Sequence, residues 1–344
     1  MKTYKKPSDI KVGVIGYGGA FNMGRQHLQQ MQAAGMTLVA VTEVDPARLA
    51  VATQDFPGIE TYSSVAAMLK KSAVNLIVLI TPHNTHAPLA LQCLRAGRHV
   101  VCEKPLAITT REVDAMIAAA KKSGVMLSTY HNRHWDGRII QAVELIKKQK
   151  LIGDIVRIEA HMGNYGKPGD WWRTSRSISG GILYDWGVHL LEYALQLIKA
   201  PITEVSGFTH EGFWGPQTPW KKDANEDEGF AVVRFKGGQW LTLAITQLDS
   251  KPKEGMLEIT GTTGSLVLEW NHVKLYQHRD GNVITTQIPC PKDQGELYYQ
   301  NVRDHLVHKK PLVITAEWSR RPIHILDLAA QSAKKGLSLR AKYA

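Results

Sequence analysis

The chain has little cysteine: three residues in 344, Cys93, Cys102 and Cys290, odd in number and without C-x-x-C spacing. That excludes a disulfide scaffold and a thiolate zinc site. It has no long apolar run, so no transmembrane helix is expected. Its first residues, MKTYKKPSDI, carry charge but no apolar core of the kind a secretory leader needs, and a soluble, cytoplasmic protein is the expectation. No internal repeat and no low-complexity linker is visible. Basic residues are in excess, with a formal net charge of +11, yet they form no stripe interleaved with aromatics. They are scattered as doublets such as Lys70-Lys71, Lys121-Lys122 and Arg320-Arg321, near the ends of helical patterns where cations suit the helix dipole. Neither nucleic acid nor a membrane is an expected partner. A diffuse positive field does favour an anionic small ligand such as a dinucleotide.

What is present is ordinary globular composition, 44% hydrophobic, in a chain longer than one compact core usually holds. Two domains are expected, at 1–130 and 131–344, with the C-terminal helix free to pack back on the first. In the first, apolar runs at 12–15, 38–43, 76–81, 99–103 and 125–130 alternate with helical spacings. Asp45-Pro46 supplies a cap and a first-turn proline, Gly97 a C-terminal stop, and Thr109 or Thr110 another cap. Continuous apolar strands alternating with helices predict an α/β doubly wound parallel sheet. Beyond 131 the pattern changes. Helices are expected at 137–148 and 182–199, and a strand at 155–163. Strand pairs flank Lys236-Gly237-Gly238-Gln239, Thr262-Thr263-Gly264 and Arg279-Asp280-Gly281, which are hairpin signals, and helices return at 293–308 and 318–335. This predicts an α+β domain with a large, mostly antiparallel sheet.

Three stretches carry chemistry. The first, VGVIGYGGAFNMGRQHL, departs from the G-x-G-x-x-G template: Gly16 and Gly18 fit, the sixth position is Phe21, and the next glycine is Gly24. Read with a three-residue expansion, Gly16 and Gly18 admit a pyrophosphate, the helix start near Asn22 and Met23 aims N–H groups at it, and Gly24 allows close helix–strand packing. Glu43, ending the second strand, can bind the ribose hydroxyls of NAD and would repel the extra phosphate of NADP, so NAD is preferred, although Arg48 lies nearby in sequence. The alternatives are a glycine turn without ligand and a solvated acid. The second stretch is CEKPLA, which puts Lys104 at the carboxyl end of the fourth apolar run, the ligand edge of such sheets. Apolar walls and a cationic nicotinamide would suit Lys104 to proton transfer; the alternative is a surface lysine. The third is GGILYDWGVHLLEYAL, where Asp185 and His189, four apart, are expected to share a helix face. His189 is an acid/base candidate and Asp185 its partner, against a structural histidine. Asn164–Arg173 holds Tyr165, Trp171, Trp172 and Arg173, aromatic faces fit for a sugar or for interface packing. His83-x-x-His86 and His131-x-x-His134 lack thiolate or carboxylate partners at zinc spacing, and no metal is expected.

VGVIGYGG, VAVTEVDPAR, TPHNTHAPLALQCLRAGRHVVCEKPLA and GGILYDWGVH, in this order, resemble the Gfo/Idh/MocA oxidoreductases, the family of glucose–fructose oxidoreductase and inositol dehydrogenases. Glu-Lys-Pro and Gly-Gly-x-x-x-Asp-x-Gly-x-His are the most specific marks. RHWDG is similar to the Arg-Arg-Phe/Tyr-Asp element of inositol dehydrogenase-like members, with His134 in place of a second arginine. The resemblance implies an N-terminal Rossmann domain and a substrate-binding, oligomerising second domain. It implies Lys104, Asp185 and His189 as catalytic residues. The cofactor side would comprise Gly16, Gly18, Gly19, Ala20, Phe21, Asn22, Met23, Glu43, Arg48, Thr81, Pro82, His86, Glu103 and Lys104. The substrate side would comprise Arg133, Trp135, Trp172, Arg173, Asp185 and His189. The implied reaction moves a hydride from a secondary hydroxyl of a sugar, inositol or glycoside to nicotinamide, in a homodimer or homotetramer. Two other outcomes stay open from sequence: redox-neutral glycoside cleavage through transient oxidation, and a dinucleotide-binding regulator without turnover.

Overall fold

The computed structural model describes residues 1–343. The chain divides into two compact units, the first of Met1–His131 with Glu296–Arg320, the second of Asn132–Gly295 with the residues from Arg321 onward.

In the first unit, strands and helices alternate: β1 (Lys11–Ile15), α1 (Met23–Ala33), β2 (Thr37–Thr42), α2 (Pro46–Asp55), β3 (Glu60–Tyr62), α3 (Val65–Lys71), β4 (Leu76–Leu79), α4 (His86–Arg95), β5 (His99–Cys102), α5 (Thr110–Ser123) and β6 (Leu127–Thr129). The six strands are parallel in the order β3-β2-β1-β4-β5-β6. β4, β5 and β6 are buried along their whole length, as a sheet covered on both faces requires. The sequence pattern shows five of these strands. β3 escapes it because Glu-Thr-Tyr sits at the sheet edge, mostly exposed, with no apolar run. Asp45 accepts the Ala47 N–H at 2.9 Å, and Thr109 and Glu112 cap α5 reciprocally. α1 is different: its N-cap, Asn22, is left-handed (φ +50°) and makes no side-chain cap bond.

The second unit holds α6 (Gly137–Val143), β7 (Ile155–Gly163), α7 (Arg176–Ser179), α8 (Gly187–Leu197), β8 (Ile202–His210), β9 (Glu228–Phe235), β10 (Trp240–Thr246), β11 (Leu257–Gly261), β12 (Gly264–Leu268), β13 (His272–Arg279) and β14 (Asn282–Pro289). α9 (Leu297–His308) belongs to the first unit, α10 (Ala316–Lys335) begins in the first and ends in the second, and β15 (Leu339–Arg340) closes the sheet edge. The nine strands run β14-β13-β12-β11-β7-β10-β9-β8-β15, antiparallel except for the β7–β10 pair. β9 and β10 alternate buried and part-exposed residues, so only one sheet face is packed.

Two helices differ from expectation. The one at 137–148 is α6 followed by a wider π turn over Glu144–Lys148. The one at 182–199 is broken. The chain leaves Gly180 and Gly181 with positive φ, makes one tight 3-10 turn at Ile182–Tyr184, and restarts as α8 only at Gly187. The Ile182 N–H is taken by the Glu226 carboxylate at 2.9 Å, and a Cβ on Gly187 would come within 3.0 Å of Leu243. Asp185 therefore lies before α8 and does not share a regular helix face with His189.

Candidate active site

The glycine turn of the first unit sits where the strand order reverses, between β1 and β4. Gly16 follows β1 at φ +98°, and a Cβ there would lie 2.2 Å from the Ile80 carbonyl oxygen, so only glycine lets the two strand ends meet this closely. Gly24 is equally constrained: its Cβ would fall 2.6 Å from the Tyr17 ring. Gly18 is the opposite case, with nothing within 4 Å of its Cβ position, and Gly18–Asn22 are exposed. An open backbone, an uncapped helix start and a topological switch point form a cradle that fits a dinucleotide pyrophosphate. Ala20, Phe21, Asn22 and Met23 form the expanded lip of that loop.

Glu43 and Arg48 converge on one residue of the cradle, Tyr17. Glu43 accepts the Tyr17 N–H at 2.7 Å and also the N–H groups of Val44 and Asp45, at 2.7 and 3.2 Å. The Arg48 Nε donates to the Tyr17 carbonyl at 2.9 Å, and its guanidinium lies against Gly19. A further brace was not legible in the sequence: the Tyr17 hydroxyl donates to Asp55 at 2.7 Å, and Arg25 pairs with the same carboxylate.

The loops after β4 and β5 are joined by His86. Its ring nitrogens lie 2.8 Å from the carbonyl oxygens of Thr81 and Pro105. The fully buried imidazole thus ties Thr81 and Pro82 to the Glu103-Lys104-Pro105 turn, whose Lys104–Pro105 peptide is cis. Lys104 follows Glu103, whose Oε2 accepts the Lys104 N–H at 3.0 Å. Burial alone would raise the Glu103 carboxyl; a hydrogen bond from His27 and the nearby Lys104 charge outweigh it and hold the group below the usual glutamate range.

The second unit gathers the other residues around the start of α8. Arg173 donates to Asp185 at 2.7 Å, and its guanidinium lies 4.8 Å over the Trp172 ring and 5.2 Å over Trp171. Trp186 stands edge-on to His189 at 5.7 Å, and the Arg133 guanidinium lies over its ring at 5.2 Å. Arg133 is fixed by Asp136 at 3.1 Å, and Asp136 also accepts the Tyr193 hydroxyl at 2.5 Å. Burial pushes the Asp136 carboxyl above the usual aspartate range despite these donors, and burial beside that carboxyl pushes Tyr193 up strongly. Trp135 packs edge-on to His134, which meets Glu192 at 2.5 Å. Within this unit Arg133 and His189 meet at Trp186, a residue that sequence reasoning did not single out, and Trp172, Arg173 and Asp185 form a second cluster beside the start of α8.

A parallel 3-2-1-4-5-6 sheet with a glycine cradle at its switch point defines a Rossmann NAD(P)-binding domain. Residues 10–131 match the family model described as oxidoreductase family, NAD-binding Rossmann fold, and residues 139–267 match the GFO/IDH/MocA C-terminal domain. The chain belongs to the Gfo/Idh/MocA oxidoreductase family. It is 25% identical to the scyllo-inositol 2-dehydrogenase (NADP(+)) IolW of Bacillus subtilis, over 97% of each chain. It is 28% identical to a levoglucosan dehydrogenase of Pseudarthrobacter phenanthrenivorans, over 84% of this chain and 78% of the relative. Among solved structures, an NAD-binding protein from Listeria innocua superposes with a TM-score of 0.83 at 25% identity, over 97% of both chains.

Proposed function

We propose that the protein is a dehydrogenase that oxidises a secondary hydroxyl of a sugar or polyol, with NAD preferred over NADP. The observation that carries this is the cradle: Gly16 and Gly24 are packed where a side chain cannot fit, while Gly18 faces open space at an uncapped helix start. Gly16, Gly18, Gly19 and the start of α1 would hold the pyrophosphate, Glu43 the adenosine ribose, and Thr81, Pro82, His86 and Glu103 the nicotinamide side. When bound, the nicotinamide supplies the hydride acceptor. Lys104 stabilises the alkoxide that develops, and His189 removes the hydroxyl proton, so that a carbonyl is left on the substrate. Asp185 binds a neighbouring hydroxyl, and its charge is balanced by Arg173. Trp172, Arg173, Arg133 and Trp135 suit a polyhydroxylated ring, through aromatic faces and guanidinium donors. The inositol and levoglucosan dehydrogenases among its relatives support that substrate class.

Glu43 supports the NAD preference, while Arg48, bonded to the same residue Tyr17, is the group an additional phosphate would meet. The one-sided packing of the nine-stranded sheet supports self-association into a homodimer or homotetramer through its open face.

The test is a screen of inositols, aldoses and glycosides for reduced cofactor, with NAD and NADP in parallel. Turnover with at least one polyol is expected, with higher kcat/KM for NAD. Lys104→Met should lower kcat by about 10²–10⁴-fold while dinucleotide affinity stays within a few-fold. Unchanged turnover in that variant would remove Lys104 from the chemistry.

A further inference from the structure

His27 lies in α1, one helical stretch beyond the cradle, with its side chain fully buried. Nε2 is 2.9 Å from Glu103 Oε1, and Nδ1 is 2.5 Å from the Tyr299 hydroxyl. The carboxylate can only accept, so Nε2 carries the proton and donates to it, while Nδ1 meets the tyrosine hydroxyl. The other Glu103 oxygen accepts the Lys104 N–H. One hydrogen-bonded line therefore runs from Tyr299 in α9 through His27 in α1 to the turn after β5 that presents Lys104. The ring is immobilised as well: Tyr130 stands edge-on at 4.2 Å and Tyr299 at 5.8 Å. A buried carboxylate without a donor is costly, and the imidazole is the side chain that satisfies it.

We propose that His27 is a positioning residue: it orients the half-buried Glu103 carboxylate through the Nε2–Oε1 hydrogen bond, and through it fixes the backbone from which Lys104 projects. The role rests on the reading of Lys104 as catalytic. The groups around Glu103 are His27 from α1, Lys104 and Cys102 along its own segment, Tyr130 after β6, and Tyr298 and Tyr299 from α9. His27 and Lys104 are the groups among them that favour the ionised carboxyl, and His27 is the one that donates to Oε1. With His27 removed, burial dominates and the carboxyl is protonated at higher pH.

The substitution that tests this is His27→Leu, with His27→Gln as the conservative control whose amide can still donate from the Nε2 position. Infrared spectra recorded against pH read the protonated-carboxyl band directly, and Glu103→Gln in each background assigns it. In His27→Leu the band is expected at a pH where the unsubstituted protein is fully ionised, kcat is expected to fall at least tenfold with little change in the dinucleotide KM, and the acid limb of the rate profile should move up. His27→Gln should recover most of both. An unchanged Glu103 titration in folded His27→Leu overturns the proposal, as does a loss of stability with unaltered kcat. If His27→Leu does not fold, nitrogen NMR of the unsubstituted protein decides: a protonated Nε2 whose shift changes in Glu103→Gln is expected, and an Nδ1–H tautomer overturns the arrangement. Neither spectroscopic readout needs turnover, so a failed substrate screen and a failed His27–Glu103 link are separate results.

Discussion

His99 begins β5 with no exposed surface; its Nδ1 accepts the Met126 N–H at 2.9 Å and the Tyr4 ring stands edge-on at 5.7 Å. Burial, aided by the positive charges of Lys2, His305 and the N-terminus, lowers its pKa from 6.5 to about 4. The folded protein thus keeps His99 neutral where the unfolded chain protonates it. More protons bind the unfolded state between those values, so stability is full above pH 6.5 and falls as pH drops toward 4. The size is about 3 kcal/mol, from the shift at ~1.4 kcal/mol per unit. His99→Asn, whose amide oxygen can still accept from Met126, should flatten this part of the stability curve in denaturant melts between pH 7 and pH 4. Parallel curves for the two proteins would assign the acid sensitivity elsewhere. At this scale the sequence showed which residue types occur, such as Lys104, Glu43 and His189. It did not show that Glu43 and Arg48 hold the N–H and the carbonyl of one residue, Tyr17, that Tyr17 is braced by Asp55 and Arg25, or that Arg133 depends on Asp136 and Tyr193. Apart from the local Arg133–Asp136 spacing, those pairings join different elements or turns, and no hydrophobic period or short motif encodes them.

Among elements, the β1–α1 junction makes two opposite demands on glycine. At Gly24 the Tyr17 ring lies 2.6 Å from a Cβ, and that ring is held by Asp55, so Gly24→Ala must displace a braced tyrosine. A loss of about 1–3 kcal/mol in stability is expected, together with weaker dinucleotide binding. At Gly18 a Cβ meets no atom within 4 Å, so Gly18→Ala should melt like the parent yet bind dinucleotide about tenfold more weakly, because the pyrophosphate needs that space. Calorimetric melts and fluorescence titration separate the two; equal binding in Gly18→Ala would place the ligand elsewhere. The alternation of strands and helices was plain in the sequence because both periodicities are local. β3 and β8 were not: the first is too short and polar, and the second alternates toward a face left open. The break before α8 was also hidden. Its apolar spacing is helical throughout, and only the positive φ of Gly181, the Glu226 contact and the tight packing of Gly187 interrupt it.

For the molecule as a whole, the outward rows of the large sheet bear on assembly. Phe208 pairs across strands with Phe230, which pairs with Ala244, and Phe208 is 59% exposed. The inward rows, such as Val205, Val233 and Leu243, are fully buried. A part-apolar open face of this kind supports a second copy as its cover. Phe208→Glu should shift the sedimentation profile toward a smaller species without lowering the melting temperature; a parent protein that sediments as a monomer at micromolar concentration removes that reading. No helix among the described residues is long and apolar enough to cross a membrane.

By itself the sequence determined the α/β class, the position of the glycine turn, the hairpins of the second unit and the candidate lysine, aspartate and histidine, because hydrophobic period, turn chemistry and short motifs act over a few residues. Only the tertiary structure decided that the Tyr17 ring is what Gly24 packs against, that Asp185 stands outside α8 and pairs with Arg173, that residues 296–320 return to the first unit, and that His27 and Tyr299 support the turn carrying Lys104. Each of these depends on contacts between different elements, from a few to hundreds of residues apart, whose geometry is set by which faces are buried together.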